Sequence, residues 1–313
     1  MDTKAVIGLI PVLIKASAYI FIILLGYMLK RKGFVAPYDY KLISKIVLNV
    51  TLPAAVVTSF AAHEMQASLL FIVLLGFGCN VLLLLLGYWA SRKEDNGTRA
   101  FYMLNWPGYS IGSFTMPYVQ SFLGPSGIVV TSLFDAGNAV MCTSGSYVVT
   151  SNVLNAGERS RVWGMIRKLF SSVPFVTYML MLVFAMLHVG MPTGVIAVSS
   201  TIGAANGFLS MLMIGMMFDI KFERKYVKQV VTTLSVRFLG ASVFAAVFYF
   251  LTPFSEEIRQ ALVLVSFSPI SNLSPVFTEK CKGDPALSSL TGSLSILVSI
   301  VVMTFLLMLM QQV

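Results

Sequence analysis

Long apolar stretches separated by short polar ones run along the whole chain. Each apolar stretch is long enough for a helix of about 20 residues, which crosses a hydrocarbon core of roughly 30 Å. Strands with open edges leave backbone groups without partners in lipid, so we predict that these stretches are helices. The ten predicted spans are 6–29, 42–62, 68–90, 100–121, 127–150, 169–189, 194–217, 229–251, 257–278 and 286–310.

The composition favours an all-α membrane protein. Of the 313 residues, 57% are hydrophobic and 11% are charged, whereas a soluble domain carries about 25% charged residues. The spans leave no room for a soluble domain, so we expect one integral membrane domain over residues 1–313. The cysteines Cys79, Cys142 and Cys281 are too scattered for a disulfide framework or a metal site.

Basic residues are concentrated in every second loop between the spans. The odd-numbered loops hold 18 Lys and Arg residues, while the even-numbered loops and the tails hold two, Lys4 and Arg259. Basic loops stay in the cytoplasm, so we expect both termini on the extracytoplasmic side. This asymmetry accounts for the net charge of +9 without a nucleic-acid partner. The basic residues of the odd loops are Lys30, Arg31, Lys32, Lys41, Lys45, Arg92, Lys93, Arg99, Arg159, Arg161, Arg167, Lys168, Lys221, Arg224, Lys225, Lys228, Lys280 and Lys282.

Ten spans divide into two halves of five, 1–155 and 160–313. Because five is odd, a duplicated half returns with inverted orientation, which is common in secondary transporters. The fourth span, "RAFYMLNWPGYSIGSFTMPYVQSFLG" (99–124), resembles the ninth, "RQALVLVSFSPISNLSPVFTEKCKG" (259–283). Each begins with Arg, reaches a cluster of Pro, Gly, Ser and Asn, and has a second proline near its end, Pro117 or Pro275.

Proline and small polar residues in mid-span predict that helices four and nine are broken, because proline removes a helical hydrogen bond. Broken helices survive in a membrane where they line a cavity, and half-helix ends bind ions and anions there. The alternative is a plain proline kink in which Ser or Asn side chains restore the backbone hydrogen bonds. The candidate substrate-binding residues at these two breaks are Ser110, Gly112, Pro117, Ser271, Asn272 and Pro275.

A few polar or charged side chains fall within other spans, and each has two interpretations. Asp135, with Asn138 one turn away, is an ion-coupling or proton site, or a structural acid bonded to a broken helix. Arg237 binds a substrate carboxylate, or braces the fold by pairing with Asp135 or with free carbonyl groups. Asn49, near a proline in the second span, lines the cavity or joins helices. Lys15 is expected to snorkel or to pack at a subunit interface.

Several stretches resemble the auxin efflux carrier family of permeases. The fourth span resembles the family's crossover motif, although Ser110 replaces its Asn and Thr115 replaces a Gly. The similarity covers essentially the whole chain. The matching stretches are "NVTLPAAVVTSF" (49–60), "YSIGSFTMP" (109–117), "LFDAGNAV" (133–140), "NGFLSMLMIGMMF" (206–218) and "PISNLSPVFTEKCKGDPALSS" (269–289).

This resemblance implies a ten-helix fold like that of bile acid sodium symporters, in which helices four and nine cross. It implies a scaffold of helices 1, 2, 6 and 7, a transport domain that moves like an elevator, and a homodimer formed through the scaffold. Short bacterial members resemble malate and malonate permeases, and plant members move auxin. The absence of a long central loop favours the bacterial type, in the plasma membrane.

The expected function is therefore secondary active transport of a small organic anion, such as malate, malonate or an auxin-like acid, driven by a proton or sodium gradient. One alternative is a sodium-coupled carrier of a bulky amphipathic anion. Another is an anion channel or a membrane sensor. The sequence holds no catalytic, nucleotide-binding or cofactor motif, so no enzyme activity and no cofactor are expected.

Overall fold

The computed structural model describes residues 3–36, 38–63, 66–156, 162–218 and 224–310. Within these ranges every regular element is a helix, apart from one isolated β-bridge. The predicted boundary between the two halves, at 155–160, runs into residues 157–161, which lie outside the described residues. The α-helices are α1 (Thr3–Arg31), α2 (Tyr40–Ile46), α3 (Leu52–Ala61), α4 (Phe71–Ser91), α5 (Asn96–Asn105), α6 (Met116–Val140), α7 (Ser146–Leu154), α8 (Val162–Phe170), α9 (Val173–Met186), α10 (Thr193–Ala204), α11 (Asn206–Met217), α12 (Val227–Leu251), α13 (Glu256–Ser266), α14 (Ser274–Lys280) and α15 (Pro285–Met310).

Six helical segments of the described chain are long and apolar enough to cross a membrane, and α8 with α9 makes a seventh if that bent pair is one span. The protein is thus an all-helical membrane protein. The predicted fourth and ninth spans are absent from this set because their helices are interrupted, and the fifth is absent although helical structure continues from α6 into α7. The six segments are Leu13–Arg31, Tyr40–Ala61, Ala67–Ser91, Thr193–Met217, Arg224–Leu251 and Pro285–Met310.

Wide, π-helical turns mark the places where the chain departs from a regular α-helix. They cover Val47–Thr51, Ile111–Thr115 and Met141–Gly145. The first two stand two residues before a proline, Pro53 or Pro117, and proline cannot donate the backbone hydrogen bond that an α-helix needs there. Such π-helical turns occur often at functional sites.

The fourth and fifth spans, predicted as 100–121 and 127–150, are not separated by a loop in the structure. The expected loop at 122–126 is wrong, because helical structure runs through it except at Gly124, whose φ is 63° and which precedes Pro125. Glycine adopts this left-handed conformation without steric cost, and proline then restarts a helix. The predicted sixth span, 169–189, is also wrong at its start, because α8 ends at Phe170 and bends by 77° into α9.

Glycines bring two pairs of helices into backbone contact. A methyl group added at Gly76 of α4 or Gly137 of α6 would clash with a carbonyl oxygen of the other helix. Gly26 of α1 and Gly215 of α11 have the same relationship. Small residues at such contacts are typical of helix pairs in membranes. The close approach of α4 to α6 places the polar residues of both helices side by side.

Candidate functional site

The breaks in the predicted fourth and ninth spans lie against each other. The first break, 106–110, separates α5 from the π-helical turn before α6, and the second, 267–273, separates α13 from α14. Two backbone hydrogen bonds join them, from Ser110 N–H to the Pro269 carbonyl (2.9 Å) and from Ser271 N–H to the Gly108 carbonyl (3.3 Å). The backbones therefore pair as a minimal antiparallel bridge at Tyr109 and Ile270.

Two buried asparagines satisfy the backbone of the first break. Asn80 of α4 accepts a hydrogen bond from Gly108 N–H at 2.6 Å. Asn138 of α6 accepts from Tyr109 N–H at 3.1 Å, and its amide nitrogen donates to the Tyr109 carbonyl at 3.0 Å. The two side chains also bond each other at 3.2 Å. An unpaired buried backbone group is costly, so these side chains hold the break open.

The second break has its own side-chain partner. Ser295 of α15 accepts a hydrogen bond from Ile270 N–H at 3.0 Å through its hydroxyl oxygen. Ser268 in the same break donates to the Val265 carbonyl at 2.6 Å and accepts from Thr115 at 2.7 Å. Both breaks are thus fixed by hydrogen bonds from neighbouring helices. Each break is wider than a proline kink, but Asn and Ser side chains do restore its backbone hydrogen bonds, as the alternative interpretation expected.

Arg237 of α12 binds carbonyl groups at both breaks. Its Nη1 atom donates to the carbonyls of Trp106 (2.5 Å) and Gly108 (3.1 Å), and its Nη2 atom donates to the Ser268 carbonyl (3.1 Å). The guanidinium carbon also lies 4.9 Å from the centre of the Tyr109 ring, and the side chain is 5% exposed. Helix C-termini carry partial negative charge, so the cation stabilises the ends of α5 and α13 together.

These contacts match one of the interpretations that the sequence left open for Arg237, the bracing of free carbonyl groups. The Asp135 carboxylate is bonded elsewhere. Its Oδ1 atom accepts from Asn138 at 2.8 Å and its Oδ2 atom accepts from the Tyr178 hydroxyl at 3.0 Å. Both partners are neutral, so a proton or a cation remains the means of balancing the charge of this buried carboxylate.

Gly112 lies beside Asp135. A methyl group added at Gly112 would stand 3.5 Å from Asp135 Oδ2, 3.4 Å from the Tyr178 oxygen and 3.0 Å from a Leu52 methyl carbon. Because glycine has no side chain, the backbone of the π-helical turn, the carboxylate and the side chains of Leu52 and Tyr178 pack closely together here. Tyr178 of α9 was not predicted as a site residue, because a tyrosine in an apolar run is normally read as packing.

Small polar side chains of both breaks form a cluster. The hydroxyl groups of Ser110 and Ser113 share a hydrogen bond of 3.0 Å, and the Asn272 amide donates to Ser113 at 3.2 Å. Ser271 shares a hydrogen bond of 2.8 Å with the Cys142 thiol. Sequence reasoning therefore selected Ser110, Ser271 and Asn272, which the structure brings together, but it missed Ser113 and Cys142. Ser113 follows Ser110 by one turn, and that spacing was the available signal.

A small cavity reaches the second break from the side of α11 and α15. Its volume is about 60 Å³, below the roughly 300 Å³ at which ligand pockets usually begin. Three predicted residues, Ser271, Asn272 and Pro275, lie in its wall. The remaining wall residues are Ile214, Met217, Phe218, Ile270, Ser289, Gly292, Ser293 and Ile296.

A second cavity lies between α3, α10 and the turn of α6 at Gly124. Its volume is about 290 Å³. The polar side chains in its wall are Thr58, Ser59, Gln120 and Ser200. It belongs to the end of α6 that precedes Pro125, whereas the smaller cavity adjoins α14. The two cavities thus lie against different helices, and only the smaller one has residues of a break in its wall.

The other predicted residues contribute differently. Pro117 lies in the first turn of α6 and shapes the start of that helix. Asn49 is exposed, and its amide donates to the Lys45 carbonyl of its own helix at 2.7 Å, so the described bond does not join it to either break. Lys15 donates to the Ser121 carbonyl at 2.9 Å. It thus links α1 to α6 instead of approaching the polar cluster.

Comparison with known proteins gives the same class of protein for both halves of the chain. Residues 11–161 match a family described as membrane transport protein, and residues 207–313 match the sodium bile acid symporter family. Over 268 residues the chain is 26% identical to an uncharacterized transporter of Methanothermobacter thermautotrophicus, and the similarity covers 82% of this chain and 84% of that protein. All three descriptions are of proteins that move solutes across membranes.

Proposed function

We propose that this chain, which belongs to the auxin efflux carrier family of membrane transport proteins, is a secondary carrier of a small organic anion. The substrate class is a mono- or dicarboxylate, such as malate, malonate or an auxin-like acid. That the protein is a transporter follows from its membership of this family. The substrate class rests on the chemistry of the place where the breaks at 106–110 and 267–273 meet, which we call the crossing.

The observation that carries the proposal is the unequal treatment of the helix ends at the crossing. The carbonyl ends of α5 and α13 are bonded to Arg237. The helical segments that begin after the breaks, at Ile111 and Ser274, start beside the cluster of Ser110, Ser113 and Asn272. Helix N-termini present N–H groups and partial positive charge, and hydroxyl and amide groups can donate to carboxylate oxygens. The arrangement therefore favours an anion.

Asp135 is the proposed proton-coupling residue, with Asn138 as its structural partner. The carboxylate is buried at 9% exposure and its described partners are neutral. Gly112 lies beside its Oδ2 atom and belongs to the same π-helical turn as Ser113, which joins the carboxylate to the cluster of Ser110, Ser113 and Asn272. A proton on Asp135 removes the repulsion between this carboxylate and a bound organic anion, so proton and anion are expected to bind together.

We further propose that the fold contains two inverted repeats of five helices, with crossed helices four and nine. In each half, side chains of the third and fifth predicted spans bind the broken backbone. The corresponding residues are separated by nearly constant distances in sequence, which supports a duplication. The pairs are Asn80 and Arg237 (157 positions apart), Tyr109 and Ile270 (161), Pro117 and Pro275 (158), and Asn138 and Ser295 (157).

Alternating access is proposed to occur by movement of the crossed helices against a scaffold built from helices 1, 2, 6 and 7. The two cavities lie along this boundary, one against α11 and the other against α3 and α10. Since the cavity at Asn272 is too small for a typical ligand, a displacement at this boundary is needed to open it. The proposed setting is a bacterial plasma membrane, with extracytoplasmic termini and a homodimer formed through the scaffold.

A sodium-coupled carrier of a bulky amphipathic anion is the second candidate. The match of residues 207–313 to the sodium bile acid symporter family favours it. The position of Arg237 disfavours it, because its guanidinium already binds carbonyl oxygens of both breaks, which are ligands of the kind that sodium would use. Replacing sodium by choline distinguishes the two candidates.

The deciding experiment is uptake of labelled malate into proteoliposomes under an imposed pH gradient. Wild type is compared with Asp135→Asn, in sodium and in choline buffer, and malonate and aromatic acids follow if malate is not taken up. Saturable, proton-driven uptake that is independent of sodium and lost in Asp135→Asn supports the proposal. Uptake that requires sodium supports the second candidate. A flux that never saturates indicates a channel, and no uptake of any organic acid refutes both carriers.

A further inference from the structure

The short helix α8 precedes α9 and stands nearly perpendicular to it. The two helices are bent by 77° at a break of two residues, Ser171 and Ser172. α9 is apolar and packs against α3, which belongs to a segment long enough to cross the membrane. A helix at this angle to a membrane-crossing helix lies close to the plane of the membrane surface.

One side of α8 is apolar but is not covered by the protein. Trp163 is 74% exposed and Phe170 is 61% exposed, and Ile166 lies between them on the same face. Their spacing of three and four residues puts them in one stripe along the helix. At the edge of this stripe, one turn after Ile166, Leu169 is buried in the hydrophobic core. The helix is thus attached to the protein along one side and presents large apolar side chains on another.

Two adjacent basic residues, Arg167 and Lys168, stand in the last turn of α8, and both are exposed. Arg167 follows Trp163 by four residues, so its charge lies beside the apolar stripe. A helix with aromatic residues on one face and basic residues next to them is typical of the boundary between headgroups and acyl chains. Anionic phospholipids at that boundary attract such positive charges.

We propose that α8 is an in-plane interfacial helix that binds anionic phospholipid headgroups. Arg167 and Lys168 bind the phosphate groups, and Trp163, Ile166 and Phe170 enter the acyl-chain boundary beneath them. The basic residues around α8 belong to the side of the molecule that carries the basic loops, where anionic lipids would be recruited. This interaction does not depend on which solute the protein carries.

The test measures which lipid lies next to Trp163 in the intact protein. The protein is reconstituted in mixed phosphatidylcholine and phosphatidylglycerol vesicles, with brominated acyl chains on one lipid or the other. Bromine quenches tryptophan emission at short range, and the Trp163→Phe variant provides the emission of Trp89 and Trp106 to subtract. We expect brominated phosphatidylglycerol to quench Trp163 more strongly, with a local enrichment on the order of five-fold per basic residue.

In the double variant R167Q/K168Q, the two brominated lipids should quench Trp163 emission equally. The matched control is R31Q/K32Q, which removes two adjacent exposed charges from the end of α1 and should keep the wild-type preference. An unchanged unfolding temperature in both variants shows that the fold is intact. Equal quenching in wild type, or a preference that survives in R167Q/K168Q, overturns the proposal. Trp163 emission that neither lipid quenches also overturns it and shows that protein, such as a second copy, covers this face.

Discussion

Asn138 bonds both backbone groups of Tyr109, accepting from its N–H at 3.1 Å and donating to its carbonyl at 3.0 Å. Tyr109 is bridged to Ile270 on one side, and on the other side the Asn138 side chain takes the place of a second neighbouring strand. Asn138→Leu keeps the approximate volume and removes both bonds, so each backbone group should cost roughly 1–3 kcal/mol when left buried and unpaired. Thermal unfolding in detergent should show a large loss of stability.

Asn49→Leu is the matched control for this substitution. Asn49 is exposed and its amide donates to a carbonyl of its own helix. The unfolding temperature of the Asn49→Leu variant should therefore stay close to that of wild type. Equal unfolding temperatures for the two variants would contradict the structural role of Asn138.

Arg237→Lys distinguishes bracing from substrate binding. Lysine keeps the charge, but a single ammonium group cannot bond carbonyls of both breaks in the geometry of a guanidinium fork. If Arg237 braces the crossing, the variant should lose thermal stability and maximal transport rate, while KM for the anion changes by less than about three-fold. Loss of one bidentate, charge-assisted contact to the substrate would instead raise KM by roughly ten-fold or more. Initial uptake rates over a range of anion concentrations separate these outcomes.

Tyr178→Phe removes one of the two described hydrogen bonds of the Asp135 carboxylate. The ionised form of the carboxylate loses a donor, so the proton should be held more tightly and released less readily. We expect saturable uptake to persist while its pH dependence shifts toward more alkaline values. Asp135→Asn, which can neither bind nor release a proton, should lose proton-driven uptake altogether. A pH profile of Tyr178→Phe identical to that of wild type would exclude Tyr178 from the coupling site.

Gly112 should tolerate no large side chain. Its added methyl group would meet Leu52 at 3.0 Å and the Asp135 carboxylate at 3.5 Å, so Gly112→Ala should reduce uptake and Gly112→Val should abolish it. Gly190→Ala is the control, because nothing lies within 4 Å of a methyl group there. Protein yield and unfolding temperature for Gly112→Ala should stay near wild type, which separates blocked transport from misfolding. Normal uptake by Gly112→Val would remove this glycine from the proposed path.

Asp95 caps α5 outside the membrane-spanning segments. Its Oδ1 atom accepts from Gly97 N–H at 2.8 Å and Thr98 N–H at 3.1 Å, and its Oδ2 atom accepts from the Thr98 hydroxyl at 2.6 Å. These bonds hold the pKa of Asp95 below its ordinary value, and the bond from the Thr98 hydroxyl contributes most. Asp95→Ala should lower the free energy of unfolding by about 1 kcal/mol at neutral pH.

The contribution of the Asp95 charge has a defined pH dependence. A lowered pKa in the folded state means that the stabilisation is present above the ordinary pKa and is lost as the pH falls through the folded value. The difference in unfolding temperature between wild type and Asp95→Ala should therefore narrow in acid. An equal difference at neutral and at acid pH would contradict this contribution of the Asp95 charge.

Apolar length predicted the uninterrupted helices well. The predicted spans 68–90 and 286–310 correspond to the helical segments Ala67–Ser91 and Pro285–Met310. α8 was missed because its Arg167 and Lys168 were counted as loop charges, although an amphipathic helix at the membrane surface has the same composition. The predicted loop at 122–126 is too long, since a single left-handed residue, Gly124, is enough to end one helix and begin the next.

The breaks themselves could be predicted, but their partners could not. Proline and glycine interrupt a helix at the position where they stand, so the local sequence is enough to predict the break. Which groups then bond the open backbone depends on residues far away in sequence, such as Arg237 for Trp106 and Asn138 for Tyr109. Asn80 resembled an ordinary packing residue until the structure placed its oxygen at Gly108 N–H. Several side chains of the crossing thus stabilise the break instead of facing a ligand.

Arg237 also gives the crossing a fixed electrical property. Its charge is permanent, since a guanidinium group does not release its proton in proteins. In the loaded carrier, Asp135 is protonated and neutral, and the positive charge of Arg237 balances one bound monovalent anion. In the empty carrier, the positive charge of Arg237 balances ionised Asp135, so both states are neutral at this site. Each elementary charge that crosses a membrane potential of 100 mV is worth about 2.3 kcal/mol. Symport of one proton with one monoanion would then proceed without current, and a dianion would make the loaded movement electrogenic.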